Sequence, residues 1–361
     1  MLDHLKFKIR NHLNSKMKKK SRDPEKFDTF ELFSSLSLKH HYSVNDPLAL
    51  NDFISRIKKS LEGTVKNKTL AYGKRTEALF AYVVGALGEV EFIKQEDSGE
   101  LFFSGEEIQA PDYRLILKNQ EKFLVEVKNC HNKSPDQKFK LKKDYLAKLK
   151  RYADINGLPL RVAIYFSEWK MWCLVPLQVF KEKDDSYLID YKTAGIHSQM
   201  NMLGDAFIFM HKNNIELHLY SEDLRTVIAI GKLEGKITWD IEGFRIFSNG
   251  VEITNEKEKI VSYYLLTHGK WKSTLMEEMV ENDVTSGLKI TYLSNFGEVN
   301  NCGPYSRIIS SVFNQFTTDE AGDISNLGLD IDPVLFSIFA PKDYESEILP
   351  ITRLHISLEK R

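Results

Sequence analysis

Two short runs of alternating apolar and polar residues, joined by a turn, constrain the fold of this chain more than any other feature. They lie in the segment PDYRLILKNQEKFLVEVKNC, residues 111–130. In KFLVEVKN the odd-numbered positions 123, 125 and 127 are all apolar, whereas Glu126 and Lys128 fall on even positions. Because alternate side chains of a strand point to opposite faces, this parity places Glu126 and Lys128 on one face, with apolar packing behind them. The segment therefore predicts an antiparallel hairpin.

The first run, PDYRLIL, has the same alternation, and its acidic residue, Asp112, stands where the strand begins. If the two runs pair through a turn at residues 118–121, Asp112 meets Glu126 and Lys128 at the far end of the hairpin. Two neighbouring carboxylates suit Mg²⁺, which takes one or two protein carboxylates and completes its shell with water and phosphate oxygens. The pattern predicts a metal site for phosphodiester hydrolysis, with Lys128 beside the ion to orient water or neutralise developing charge.

Composition and charge limit the class of protein. Hydrophobic residues make up 42% and charged residues 28% of the 361 positions, which is typical of a globular chain without membrane spans. Three scattered cysteines and the lack of a signal sequence predict a cytoplasmic protein. Residues 1–185 carry 34 Lys and Arg against 26 Asp and Glu, whereas residues 186–361 carry 16 against 25. A polyanionic ligand is therefore expected to bind to the first half of the chain.

Three regions are predicted along the chain. Residues 1–60 form a basic helical extension, residues 61–234 a catalytic domain, and residues 235–361 an acidic α+β domain for dimerisation or partner docking. Asn249 and Gly250 predict a hairpin turn in the last region, followed by a helix that Asn255 caps.

In the catalytic region, residues 74–89 read as a mostly buried helix. Strands are predicted at VEFIKQ, GELFFSG, PDYRLIL and KFLVEVKN, and again at RVAIYF and MWCLVPL. Ser134, followed by Pro135, predicts the start of a helix that ends at Gly157, with Tyr145 on its apolar face as a core residue. A helix, a group of strands, a second helix and further strands make a mixed α/β order.

The Pro-Asp pair, the thirteen residues that separate Asp112 from Glu126, and the Glu-Val-Lys sequence that follows resemble the PD-(D/E)XK nuclease superfamily within this element order. The resemblance covers residues 75–179. It implies an α/β (α+β) fold with a central mixed sheet of four to five strands flanked by helices, restriction-endonuclease-like, to which residues 235–361 add a second α+β domain.

The resemblance also implies roles for individual residues. Asp112, Glu126 and the backbone carbonyl of Val127 would bind Mg²⁺, for which Mn²⁺ can substitute, and Lys128 would assist the attacking water. Glu77, on the first helix, would complete or support the catalytic site. Three lysines near the following helix are candidate nucleic-acid contacts: Lys138, Lys142 and Lys143.

The resulting hypothesis is a Mg²⁺-dependent deoxyribonuclease, an endonuclease that uses in-line attack of a metal-bound water, in restriction or antiviral defence against phage. DNA is the expected partner, with a homodimer through the C-terminal domain and a protein partner in a multi-component system as further expectations. Two alternatives stay open: a catalytically silent nucleic-acid-binding or assembly subunit with a nuclease-like fold, and a ribonuclease.

Overall fold

The computed structural model describes residues 17, 19, 28–43, 45–96, 101–211, 214–220, 241, 243–281, 284–333 and 344–356. In this part of the chain the helices are α1 Thr29–His40, α2 Pro47–Val65, α3 Lys68–Leu87, α4 Lys143–Asn156, α5 Tyr191–Ile196, α6 Glu256–His268 and α7 Tyr305–Thr317. Most of the basic segment 1–26 lies outside the described residues. The sequence also predicts strands at TVIAIGKLE, which lies wholly outside the described residues, and at ITWDIEG, of which only residues 241 and 243 are described.

A five-stranded mixed sheet forms the centre of the first half of the chain. Its strands, in chain order, are β1 Val90–Gln95, β2 Tyr113–Leu117, β3 Lys122–Cys130, β5 Leu160–Phe166 and β6 Met171–Pro176. Their spatial order is β1-β2-β3-β5-β6, and β3 and β5 form the parallel pair while the other neighbours are antiparallel. Helix α3 packs on one face, and α4 packs on the other through residues such as Leu146 and Leu149. The predicted mixed sheet flanked by helices is confirmed.

The described residues form three further sheets, one of five strands and two of three strands. Their strands are β4 Phe139–Lys142, β7 Lys181–Lys183, β8 Ser186–Ile189, β9 Phe207–His211, β10 Asn214–Tyr220, β11 Gly243–Ser248, β12 Val251–Glu252, β13 Ser273–Glu281, β14 Val284–Leu293, β15 Val299–Pro304 and β16 Ile351–Leu354. The spatial orders are β4-β8-β7, β15-β9-β16 and β12-β11-β10-β14-β13. Asn249 and Gly250 form the predicted turn with positive φ angles of 48° and 78°, and Asn255 caps α6 as predicted.

Two elements differ from the sequence prediction. The run predicted as a strand at GELFFSG is a loop over its described residues 101–105, where Phe102 is 93% exposed and Gly105 has a φ angle of +88°. The helix predicted from Ser134 begins only at Lys143. Residues 134–137 form a turn closed by the Gln137 amide and the Ser134 carbonyl (3.1 Å), and the segment after it pairs with β8 as β4. Sheet pairing overrides the local helix-start signal here.

One hydrophobic core joins both halves of the chain. It contains residues of α3 and β3, such as Phe80 and Val127, together with α7 residues such as Phe313. The domain boundary placed between residues 234 and 235 stays a prediction, although buried residues from both of its sides share this core. None of the helices in the described ranges combines the length and the apolar character needed to cross a membrane.

Candidate active site

The predicted hairpin places the motif residues at the end of the β2 and β3 pair. Tyr113 lies opposite Val125 and is the first paired residue of β2. Asp112, one residue earlier, therefore lies next to Glu126, and its Oδ2 accepts a hydrogen bond from the Val127 amide at 2.6 Å. The Asp112 side chain thus accepts a backbone hydrogen bond from β3 just before β2 begins, next to Pro111.

Asp112 and Glu126 are both buried, with 7% and 2% of their surfaces exposed. Burial, the charge of Glu126 and the charge of Glu77 raise the pKa of Asp112 from its ordinary value of 3.8 to about 8, against the opposing effects of the Val127 amide and Lys128. Two carboxylates in a shared low-dielectric site repel each other, so one of them holds a proton more tightly. The site is thus short of positive charge when both are ionised.

Lys128 and Tyr145 both contact the Glu126 carboxylate. The Lys128 ammonium forms an ion pair with Glu126 Oε1, and the Tyr145 hydroxyl donates a hydrogen bond to the same oxygen. Lys128 Nζ also donates to the Tyr145 hydroxyl at 3.0 Å. Burial alone would lower the pKa of Lys128, but Glu126 and Tyr145 raise it above its ordinary value. Lys128 is therefore a fixed cation on the face of β3 that the parity of the sequence predicted.

Tyr145 packs against the core cluster that contains Leu146 and Leu149, as its predicted helix face indicates, and it is also a site residue that the sequence prediction missed. Its position on the predicted apolar helix face indicated a core residue, but the structure turns its hydroxyl toward Glu126 and Lys128. Because α4 begins at Lys143, Tyr145 lies in the first turn of the helix, next to β3. The motif around Asp112 and Glu126 does not include this tyrosine. The feature of the sequence that could have identified it is a polar hydroxyl on an otherwise apolar helix face.

Glu77 lies in α3, where it forms an ion pair with Lys74 at 2.6 Å. Its charge raises the pKa of Asp112, which places it within electrostatic reach of the two carboxylates. Among the described residues, no three His, Cys, Asp or Glu side chains are grouped closely enough to hold a metal ion together. Glu77 is therefore a neighbour of the carboxylate pair in this geometry, rather than a third member of a ligand cluster.

The three predicted nucleic-acid lysines lie around β4 and the start of α4. Lys138 forms an ion pair with Asp190, and Lys143 forms one with Glu182 at 2.5 Å. Lys142 is exposed at the end of β4, directly before the helix. Their role as DNA contacts stays a prediction.

No protein-family model matches the sequence, and no curated protein matches it. Among solved structures, the chain is similar to Hjc, a Holliday junction resolvase from the archaeal hyperthermophile Archaeoglobus fulgidus. The two sequences are 17% identical, and the match covers 32% of this chain and 88% of Hjc with a TM-score of 0.24. A similarity this weak does not define the activity of this chain.

Proposed function

We propose that this chain is a metal-dependent nuclease that hydrolyses phosphodiester bonds of DNA. The observation that carries the proposal is the pair of buried carboxylates, Asp112 and Glu126, at the end of the hairpin with Lys128 on the same strand face. Burying two like charges side by side costs free energy unless a cation compensates them. Lys128 compensates one charge, and the raised pKa of Asp112 indicates that the second lacks a partner.

The donor set fits Mg²⁺ or Mn²⁺. Asp112 Oδ1 and Glu126 Oε2 have no hydrogen-bond donor among the described residues, since the contacts of these two side chains are made by their other oxygens. The N–H and C=O groups of one strand residue point to the same side, so the Val127 carbonyl points to the edge where its amide meets Asp112. A divalent cation held by these groups would polarise the phosphoryl group and lower the pKa of an attacking water.

Three side chains near the carboxylate pair supply the charge and the positioning that hydrolysis also requires. Lys128 keeps its proton at neutral pH because its pKa is raised, so it serves to stabilise negative charge on the phosphoryl oxygens rather than to accept a proton. Tyr145 fixes the position of this ammonium through its hydroxyl. Glu77 adds negative charge that favours binding of the cation.

A second candidate function is a catalytically silent nucleic-acid-binding subunit. The observation that favours it is that Lys128 and Tyr145 already satisfy Glu126 Oε1 without a metal ion. RNA in place of DNA is a third possibility with the same chemistry. A role in restriction or antiviral defence and dimerisation through residues 235–361 stay predictions.

The test is an incubation of the protein with supercoiled plasmid, single-stranded DNA and structured RNA, in Mg²⁺, Mn²⁺ or chelator. We expect metal-dependent nicking of plasmid by the wild type, and at least about a hundredfold loss in Asp112→Asn and Lys128→Ala. Asp136→Asn is the matched control, because Pro135 and Asp136 form the other Pro-Asp pair and Asp136 pairs with Lys192 at 2.9 Å. Cleavage that survives both site variants would contradict the proposal. Binding without cleavage would favour the silent subunit, and cleavage of RNA alone the ribonuclease.

A further inference from the structure

Helices α1 and α2 pack on each other and contribute no side chain to the three hydrophobic core clusters of the described residues. Phe33 of α1 meets Phe53 of α2 edge to face, with 5.2 Å between the ring centroids. Arg56 Nε of α2 donates to the hydroxyl of Tyr42, in the connection between the two helices, at 2.8 Å. Of the described residues in α1 and α2, only Ala49 and Phe53 are buried. Their contacts cover one side of α2.

Another side of α2 is apolar and exposed. We call it the α2 stripe: Leu50, Ile54, Ile57 and Leu61. Leu50, Ile54 and Leu61 have 53%, 55% and 56% of their surfaces exposed, and Ile57 is half-buried. At 3.6 residues per turn, all four fall within about 60° of one another around the helix. Single exposed apolar residues are normal on a protein surface, but a contiguous row of them marks an interaction site.

The spacing of the α2 stripe is that of a helix that pairs with another helix. Its members are separated by four, three and four residues, which is the alternation of apolar positions along a coiled-coil seam. A nucleic acid would instead require cations in the contact, and the α2 stripe contains none. The partner that fits is therefore an apolar helix face.

The α2 stripe is complementary to itself. The order Leu, Ile, Ile, Leu and the spacings four, three, four are the same in both directions. A two-fold axis between residues 55 and 56 therefore brings Leu50 opposite the partner's Leu61 and Ile54 opposite the partner's Ile57. Each layer of such an antiparallel pair holds two side chains of equal size. A two-fold interface needs this property, because both copies contribute the same surface.

The charges beside the α2 stripe are compatible with this pairing. Asn51 and Lys58 flank the stripe on one side, and in the antiparallel arrangement Asn51 lies near the partner's Lys58, so no like charges meet there. Asp52 lies outside the seam, where it forms an ion pair with Arg56 at 2.7 Å. Because α3 begins at Lys68, soon after α2 ends, antiparallel pairing also places the rest of each chain at opposite ends of the paired helices.

We propose that the α2 stripe is a dimer interface, in which the α2 helices of two copies of this chain pair antiparallel about a two-fold axis. The inference is independent of the proposed nuclease activity. The interface also differs from the one predicted from the sequence, which uses residues 235–361. A dimer of this kind carries two copies of the candidate active site.

The test is sedimentation velocity of the full chain over a series of concentrations, without DNA or metal. It compares the wild type with Ile54→Glu and Leu61→Glu. Leu48→Glu is the matched control, because Leu48 is 76% exposed on the same helix and lies about 160° around it from Leu50. We expect dimers of the wild type and of the control. The dimer Kd should rise at least about tenfold in each stripe variant, since pairing would bury an unpaired carboxylate.

Circular dichroism verifies that each variant keeps its helices. A wild type that stays monomeric would overturn the inference, and binding of anionic phospholipid vesicles by that monomer would assign the α2 stripe to a lipid surface. A dimer that both stripe variants leave as stable as the control does would also overturn it, because the interface would then lie elsewhere.

Cysteine crosslinking tests the direction of the pairing. The three native cysteines are buried, so new cysteines on the α2 stripe can be oxidised selectively. Leu50→Cys and Leu61→Cys together should give a disulfide-linked dimer on mild oxidation, whereas either substitution alone should not. Efficient linkage by Leu50→Cys alone would show a parallel pair and contradict the antiparallel arrangement.

Discussion

Asp112 has the most informative environment of any single residue in the chain. Its buried carboxylate faces Glu126 and Glu77, and one amide and one ammonium offset this repulsion only in part. The consequence is a group that stays protonated near neutral pH in the absence of a cation. A divalent ion and a proton would then compete for the same carboxylate, so binding of the ion should strengthen as pH rises toward about 8.

The raised pKa of Asp112 predicts how stability depends on pH. Between about 4 and 8 the unfolded chain has this carboxylate ionised while the folded chain keeps it protonated, so folding takes up a proton and stability falls as pH rises. Asp112→Asn removes this contribution. In chelator, the variant should gain more than about 1.4 kcal/mol relative to the wild type between pH 5 and pH 8, the value of one pKa unit. Urea unfolding at both pH values measures it, and parallel pH profiles would contradict it.

Tyr145 should act by positioning Lys128. Tyr145→Phe keeps the ring but removes the hydroxyl that contacts both Lys128 and Glu126. We expect kcat on plasmid DNA to fall about tenfold with KM unchanged, and stability to fall by about 1 kcal/mol. Tyr187→Phe, at a half-buried tyrosine of β8, is the control. A change in KM without a change in kcat would assign Tyr145 to substrate binding instead.

At the scale of elements, the β2–β3 hairpin and its neighbours decide where the site forms. The alternating pattern of residues 111–130 was sufficient to predict the hairpin, because one face packs against α3 and only one register buries it. The start of α4 was not predictable from Ser134 and Pro135, because residues 139–142 pair with β8, which lies 44 to 50 residues further along the chain. The pattern of the loop at residues 101–105 was equally ambiguous, since short apolar runs occur in loops and strands alike.

Helix caps offer a direct comparison between a correct and an incorrect element prediction. The Asn255 side chain accepts from the Lys257 and Glu258 amides at the start of α6, whose residues Val261 and Leu265 lie in the core. Asn255→Ala should therefore cost about 1 kcal/mol. Ser134→Ala should cost less than about 0.5 kcal/mol, because Ser134 is not a helix cap. Thermal unfolding of both variants checks this, and an equal loss would contradict the observed start of α4.

At the scale of the whole molecule, α7 links the two halves of the chain. It packs against α3 through Phe313, which is fully buried and contacts Tyr82 with a ring separation of 5.3 Å. Trp172 of β6 also donates from Nε1 to the Ser310 hydroxyl at 3.0 Å. Contacts between residues so distant in sequence leave no local pattern, so the sequence could suggest three regions but not their shared core.

The shared core predicts that both halves unfold together. Phe313→Ala should lower the free energy of unfolding by about 3–5 kcal/mol, because it leaves a cavity between α3 and α7. Hydrogen exchange should then accelerate in β3 and β5 as well as in α7. Faster exchange confined to residues after 234 would instead support an independent C-terminal domain.

Divalent-ion binding tests the central claim most directly, because it requires neither substrate nor turnover. Isothermal titration with Mn²⁺ at pH 8 compares the wild type with Asp112→Asn, Glu126→Gln and the control Asp136→Asn. We expect one ion to bind to the wild type and to the control, and at least about tenfold weaker binding to the two site variants. Equal binding by all four proteins would show that Asp112 and Glu126 do not form the metal site.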